Sequence, residues 1–320
     1  MTRTQYLLQR FLFAILTVLI AVTVNFFIFR AAPGDPTTLL ALKPNTPPAL
    51  VHNLRHEYGL DQGLLTQYVK YLGQLGGLHF GVSTANHAYV VDNIKTDLLN
   101  TLPMVLIATS LALLLGLVIG VLIAWMRNTK AEGSGLLAIV VTYALPTQWV
   151  GLILLYLFAG VLPSGGIEDQ YLIDPSFTTH LVDKLRHMIL PGTAFALFLL
   201  GQYAFIVRSS MLDVMGEDYM LTARAKGLST SRQLIRHGLR NALLPITSLT
   251  ALILGQIVAG AILVETVFSY PGIGQATASA VGSRDYPMLQ GIFVVLTVSV
   301  VACNLIADVI AVRLDPRVTQ

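Results

Sequence analysis

Cysteine is nearly absent. Cys303 is the only one in 320 residues, so no disulfide framework is possible. Charge is scarce as well: Asp, Glu, Lys and Arg make up 12% of the chain, about half the share of a soluble domain. An ordinary water-soluble globule is thereby excluded. No G-x-x-x-x-G-K-[ST] run occurs, so nucleotide phosphates are not cradled by that route. The spans hold no Ser-His-Asp arrangement and no paired carboxylates, and there is no Cys/His metal cluster. His52 and His56 stand four apart but lack a third ligand and read as a solvated helix face. The net charge of +3 is no nucleic-acid signal. Few charges lie deep in the apolar spans, unlike the relay acids and histidines of ion-driven transporters.

Long uncharged runs are what the chain has instead. They cover 11–29, 98–126, 133–167, 187–207, 241–264 and 286–307. Each exceeds the roughly 18 apolar residues that a bilayer crossing requires. Their uniform hydrophobicity, without alternation, predicts helices rather than barrel strands. The expected fold is therefore an all-α membrane protein with six transmembrane helices. If the spans alternate, Arg3, Arg10, Arg127, Lys130, the 213–245 stretch, Arg313 and Arg317 share one side. The positive-inside rule makes that side, with both termini, cytoplasmic. The first span, Tyr6–Phe29, follows Arg3 and Arg10 as a signal peptide does. Its long apolar core and the poor cleavage site Arg30-Ala31-Ala32-Pro33 predict a retained anchor.

The chain divides at the sequence level into 1–97, a first span plus an external amphipathic segment, and 98–320, a five-helix core. Within 30–97, a helix is expected from Pro47 and Pro48 to Gly59. Another starts near Leu64, with Leu64, Tyr68, Leu72 and Leu75 on one face. Residues 163–186 read as an external loop. Gly116 and Gly120 predict a close helix approach in the second span, as do Ala251, Gly255 and Ala259 in the fifth. Pro146 predicts a kink in the third span, beside Thr147 and Gln148. Pro103, Pro191, Pro245 and Pro287 read as span starts. Gln148, Gln202 and Gln256 are amides inside apolar spans, and Glu265 is an acid near a membrane boundary. These four are candidates for a substrate path; structural amides and an interfacial carboxylate that pairs or hydrates are the alternatives.

The stretch Asp213–Pro245 is the longest polar insert on the cytoplasmic side. Counted from Arg208, it holds six of the chain's twenty Lys and Arg. It reads as two short helices broken at Gly227, a residue suited to a left-handed helix end. Ala223 and Gly227, four apart, predict a bare small-residue face. Thr230 and Gln233 form a capping box for the second helix, along which Arg232, Arg236 and Arg240 recur every four residues. Such a loop fits either a docking surface or a charged topology anchor.

Thr222-Ala223-Arg224-Ala225-Lys226-Gly227 and Arg240-Asn241-Ala242-Leu243-Leu244-Pro245 resemble the cytoplasmic signature of ABC importer permeases, in the branch for dipeptides, oligopeptides and nickel. Pro33-Gly34-Asp35-Pro36, Gly59-Leu60-Asp61, Arg208–Asp213, Glu265–Gly274 and Asp315-Pro316-Arg317 are similar to it too. The resemblance implies a type I ABC importer permease fold. It implies a non-enzymatic subunit that binds no cofactor and couples to ATP and Mg held by two partner ATPases. Residues Glu217, Asp218, Tyr219, Thr222, Ala223, Arg224, Ala225, Lys226, Gly227 and Leu228 would form the coupling helix. A second, related permease, an external binding protein and membrane lipid are the other implied partners, and nucleic acid is not among them. Two departures stand out: His79 replaces a usual acid in Leu78-His79-Phe80-Gly81, and Leu221-Thr222 replace the Glu-Ala of the older motif. Short peptides are the implied substrate, with nickel, haem or glutathione as alternatives. An ATPase-independent transporter or channel is the rival class.

Overall fold

A computed structural model describes residues 3–31, 47–57, 61–169, 171, 176–229, 232–239, 242, 246, 250 and 261–314. The described chain is helical; its one β feature there is an isolated bridge between Val82 and Tyr89. In order, the helices are α1 (Arg3–Ala31), α2 (Pro48–Glu57), α3 (Leu64–Gly76), α4 (Val90–Trp125), α5 (Lys130–Ala144) and α6 (Thr147–Leu157). There follow α7 (Phe177–Met215), α8 (Asp218–Ala225), a π-type segment (Gln233–Leu239), α9 (Ile273–Ser283) and α10 (Tyr286–Leu314). A further helical stretch covers 261–267.

Four helices among the described residues are long and apolar enough to cross a membrane: α1, α4, α7 and α10. α5 and α6 form a fifth crossing only if counted together, because they meet at 97°. Most of the expected span near 241–264 lies outside the described residues, as do Pro245, Gln256 and the Ala251–Ala259 face.

Pro146 breaks the third span outright instead of kinking it. It takes φ −58 and ψ 130 and becomes the N-cap of α6, with its carbonyl accepting from Val150 N–H at 3.2 Å. Two other expectations need correction. Pro103 and Pro191 are not span starts but lie inside α4 and α7. Both helices begin about four turns earlier, in polar sequence that charge counting reads as loop. α7 starts at Phe177, where Ser176 caps it by accepting from Thr179 N–H at 3.3 Å, so 163–186 is only partly loop. The division at 97 falls inside α4.

In lipid, apolar burial does not drive helices together; close packing and hydrogen bonds do. The central pair is α4 with α7, and the two glycines of α4 set its spacing. A Cβ on Gly116 would meet Tyr203 Cβ at 2.5 Å, and one on Gly120 would meet Val207 Cβ at 2.6 Å. Gly201 plays the same part between α7 and α5, facing Tyr143 N at 2.9 Å. α1 packs on α10, with Val22, Phe26, Tyr71 and Val294 forming a small core beneath α3. Asn25 is buried there and donates to Tyr71 Oη and to the Gln290 carbonyl, both at 3.1 Å. Burial pushes the Tyr71 hydroxyl up to about 12, against the opposing hydrogen bond from Asn25. Leu64, expected on the packed face of α3, is instead 60% exposed, and Tyr71 takes the buried position.

Candidate functional site

Two regions carry the sequence-predicted residues. The first is the node around Glu265. Glu265 is 0% exposed, so it lines no open path in this structure. Its carboxylate accepts from Thr101 Oγ1 at 2.6 Å, Gly274 N–H at 2.7 Å and Gln275 N–H at 3.0 Å. Thr101 Oγ1 in turn accepts from Ile273 N–H at 2.9 Å. The first three backbone N–H groups of α9 are thus capped by side chains from elsewhere in the chain. The negative carboxylate also complements the helix dipole. Gly272 is the N-cap and has no side chain to do this itself. A Cβ there would collide with Thr101 and Glu265, so the glycine lets both caps approach. Tyr270 and Asn100 close the loop: Tyr270 Oη donates to Asn100 O at 3.1 Å, and Asn100 Nδ2 to Pro271 O at 2.7 Å.

α9 ends as carefully as it begins. Arg284 sits at φ 54, and Asp285 N–H returns to Ala280 O at 2.8 Å. Asp285 is 1% exposed and gathers four donors: Ser83 Oγ, Thr84 N–H, Ala85 N–H and Met288 N–H. It caps α10 and locks the 83–86 turn to it.

The second region is the polar insert 213–245. α7 ends at Gly216, and α8 follows at once. Gly227 has φ 68, as its left-handed role requires, and Leu228 N–H returns to Ala223 O at 3.3 Å. No atom lies within 4 Å of a Cβ at Gly227, so the requirement is backbone conformation and not space. The expected bare face is corrected: Ala223 is buried at 6%, and Met220 at 1%, so this side of α8 faces the chain itself. The exposed set is Glu217, Asp218, Tyr219, Leu221, Thr222, Ala225, Lys226 and Gly227, with Leu228 half-buried. The Arg224 side chain lies outside the described residues.

Beyond Gly227 the second helix adopts π-type turns rather than the regular form expected. Its Gly238 takes Met211 of α7 so closely that a Cβ would meet Met211 Cε at 3.0 Å. Gln233 Nε2 donates to Leu228 O at 2.6 Å. Thr230, its expected capping partner, and Arg240 lie outside the described residues. Arg232 and Arg236 are exposed.

One ion pair at this end was not anticipated. Arg208 Nη2 meets Glu132 Oε1 at 2.5 Å, joining the lip of the insert to the start of α5. Glu132 also accepts from Asn128 N–H at 2.7 Å, while Thr129 Oγ1 accepts from Glu132 N–H at 3.2 Å. The Arg208 hydrogen bond, helped by Asn128 N–H, holds the Glu132 carboxyl below its ordinary range. The sequence signal was Thr129-x-x-Glu132, a capping box. Of the amides, Gln148 opens α6 and Gln202 lies within α7, both half-buried; neither has a hydrogen-bond partner among the described residues. Neither is among the hydrogen-bond partners of Glu265.

Comparison with known proteins bears on these regions together. Residues 116–320 match the family described as the binding-protein-dependent transport system inner membrane component. The chain belongs to that family. Residues 3–105 match the N-terminal region described for the same membrane components. The chain is 36% identical over 318 residues to the oligopeptide transport system permease protein AppB of Bacillus subtilis, covering 98% of each chain. It is 34% identical to the di/tripeptide transport system permease protein DppB of Pseudomonas aeruginosa, covering 92% of each. It is 32% identical to the glutathione transport system permease protein GsiC of Salmonella typhimurium, covering 98% of each. This family member is an inner-membrane permease component, and α1, α4, α7 and α10 are its clear apolar spans.

Asn100, Thr101, Glu132 and Asp285 were not singled out from the sequence. Only Glu132 carried a local signal. The others act across 100 to 200 residues of chain, and no spacing announces such pairs.

Proposed function

We propose that this chain is the permease subunit of an ATP-driven ABC importer that carries short peptides across the cytoplasmic membrane by alternating access. The relatives named for oligopeptides and di/tripeptides support the substrate class. A second reading, glutathione, rests on the relative named for it; glutathione is itself a short peptide.

The observation that carries the coupling role is the exposed side of α8. Met220 and Ala223 hold its inner side, while Leu221 is 58% and Tyr219 39% exposed next to Asp218, Thr222 and Lys226. Apolar side chains ringed by charge on a polar insert suit a protein partner. In this reading α8 and Gly227–Leu228 seat in a partner ATPase, with Ala223 as a spacer behind the contact. Arg208–Glu132 and Met211–Gly238 transmit its movement to α5 and α7. Two ATPases bind ATP and Mg, a second permease completes the path, an external binding protein delivers substrate, and both termini are cytoplasmic with six spans.

The test is uptake of labelled dialanine into liposomes holding the full complex, with and without ATP. ATP-dependent uptake is the expected result. Uptake by this chain without ATPases would replace the proposal with a secondary transporter. Gly227→Val is expected to abolish import while the protein still inserts and accumulates; co-purification of ATPases at wild-type level with full import would reduce the insert to a charged anchor.

A further inference from the structure

A polar cavity of about 190 Å³ lies between the 83–86 turn, the first turns of α4 and the flank of α9. Ser83, Asn86, Asn93, Asp97, Ser279 and Ser283 contribute its polar lining. Asn86 and Asn93 hold each other by two reciprocal amide hydrogen bonds of 3.2 Å, which fixes one wall. Asp285 forms part of the floor but is saturated by the four donors already described. Asp97 is different. It is half-buried, and nothing among the described residues donates to it or pairs with it. Among the described residues no Lys, Arg or His lines the cavity, and Glu265 lies within electrostatic reach behind it. Asp97, with no base beside it among the described residues, makes the cavity negative when ionised, and the cavity holds roughly six water volumes.

We infer that this cavity is a binding site for a primary ammonium group, with Asp97 as the charge partner and the hydroxyl oxygens of Ser279 and Ser283 as further acceptors. An ammonium carries three donors and no acceptor, which matches an unpartnered carboxylate beside neutral oxygens. A divalent metal fits less well: no grouping of three His, Cys, Asp or Glu exists among the described residues, and Asp285 is already spent. The ammonium is that of a peptide entering from the external side. The inference rests on the proposed peptide import and adds a subsite to it.

The test compares initial uptake of dialanine and N-acetyl-dialanine by the full complex in liposomes, with the same binding protein throughout. Asp97→Asn is expected to lower dialanine uptake about tenfold, the loss of one charge-assisted hydrogen bond, and to leave N-acetyl-dialanine uptake as it was. Asp97→Glu restores part of the difference. Ser279→Leu, at an exposed position on the cavity rim, produces the same selective loss if Asp97→Asn fails to assemble. Asp92→Asn, exposed on the same helix and outside the cavity, changes neither rate. N-acetyl-alanyl-lysine separates the sources: an Asp97 dependence for it assigns the site to a side-chain ammonium, its absence to the peptide N-terminus. Equal effects on dialanine and N-acetyl-dialanine, or no effect on either, overturn the inference while import stands. Failure of the wild-type complex to import any peptide overturns the proposed function, and the subsite with it.

Discussion

Glu265 shows how one residue's role is decided by what faces it. Read from the sequence it is a candidate for the substrate path; in the structure its oxygens are consumed by Thr101, Gly274 and Gln275. Glu265→Ala would strand the two backbone N–H groups, at on the order of 1–3 kcal/mol each. A marked fall in Tm of the purified complex is the expected result. Glu265→Gln keeps an acceptor for Gly274 and Gln275 and turns its amide toward Thr101, so stability and uptake should both persist. Loss of uptake with normal stability in the Gln variant would restore a transport role for the charge. Gly227 is the complementary case. With φ 68 and open space around its Cβ position, Gly227→Ala should cost about 1 kcal/mol of stability through backbone strain alone, without a packing defect. Thermal unfolding in detergent reads that difference directly.

Among the elements, the α4–α7 contact depends on the glycines of α4, whereas Gly133 of α5 meets nothing. Gly120→Val drives a side chain into Val207 and the Ala204 carbonyl, and overpacking of this kind costs roughly 1–3 kcal/mol or more. Gly133, on the exposed side of α5 with nothing within 4 Å, is the matched control: Gly133→Ala should raise stability by about 0.5–1 kcal/mol. Equal effects of the two changes on Tm would contradict the close α4–α7 contact. The junction of α5 and α7 is electrostatic. The Glu132 carboxyl is depressed in the folded state, so its contribution is complete above the ordinary glutamate range and is lost as pH falls through the folded value. Glu132→Gln should therefore lower Tm at pH 7 and remove that acid-side loss, leaving a flatter Tm profile as pH falls below the ordinary glutamate range.

For the whole molecule, the open prediction is orientation. After Cys303→Ser, a cysteine at exposed Ser229 should resist membrane-impermeant labelling from outside cells, and one at Tyr171, 90% exposed, should accept it. The reverse pattern would invert the topology. Thr84, in the 83–86 turn, makes a poor reporter because only 9% of it is exposed.

Much of this protein is written in runs and periods along the chain. The apolar stretches announced α1, α4, α7 and α10, because a bilayer-length helix is a local property of about twenty consecutive residues. Gly116-x-x-x-Gly120 announced a close contact and Gly227 a left-handed helix end, since each depends only on near neighbours. Helix starts were less legible: α4 and α7 begin in polar sequence ahead of Pro103 and Pro191, where charge counting sees loop. What only the tertiary structure decided is which polar groups find one another. Asp285 with Ser83, Glu265 with Thr101, and Arg208 with Glu132 join segments that are 202, 164 and 76 residues apart. Their pairing follows from helix packing in three dimensions, where distance along the chain carries no information. The same packing left Asp97 in a polar cavity without a partner among the described residues, and turned Ala223 inward while leaving Leu221 outside.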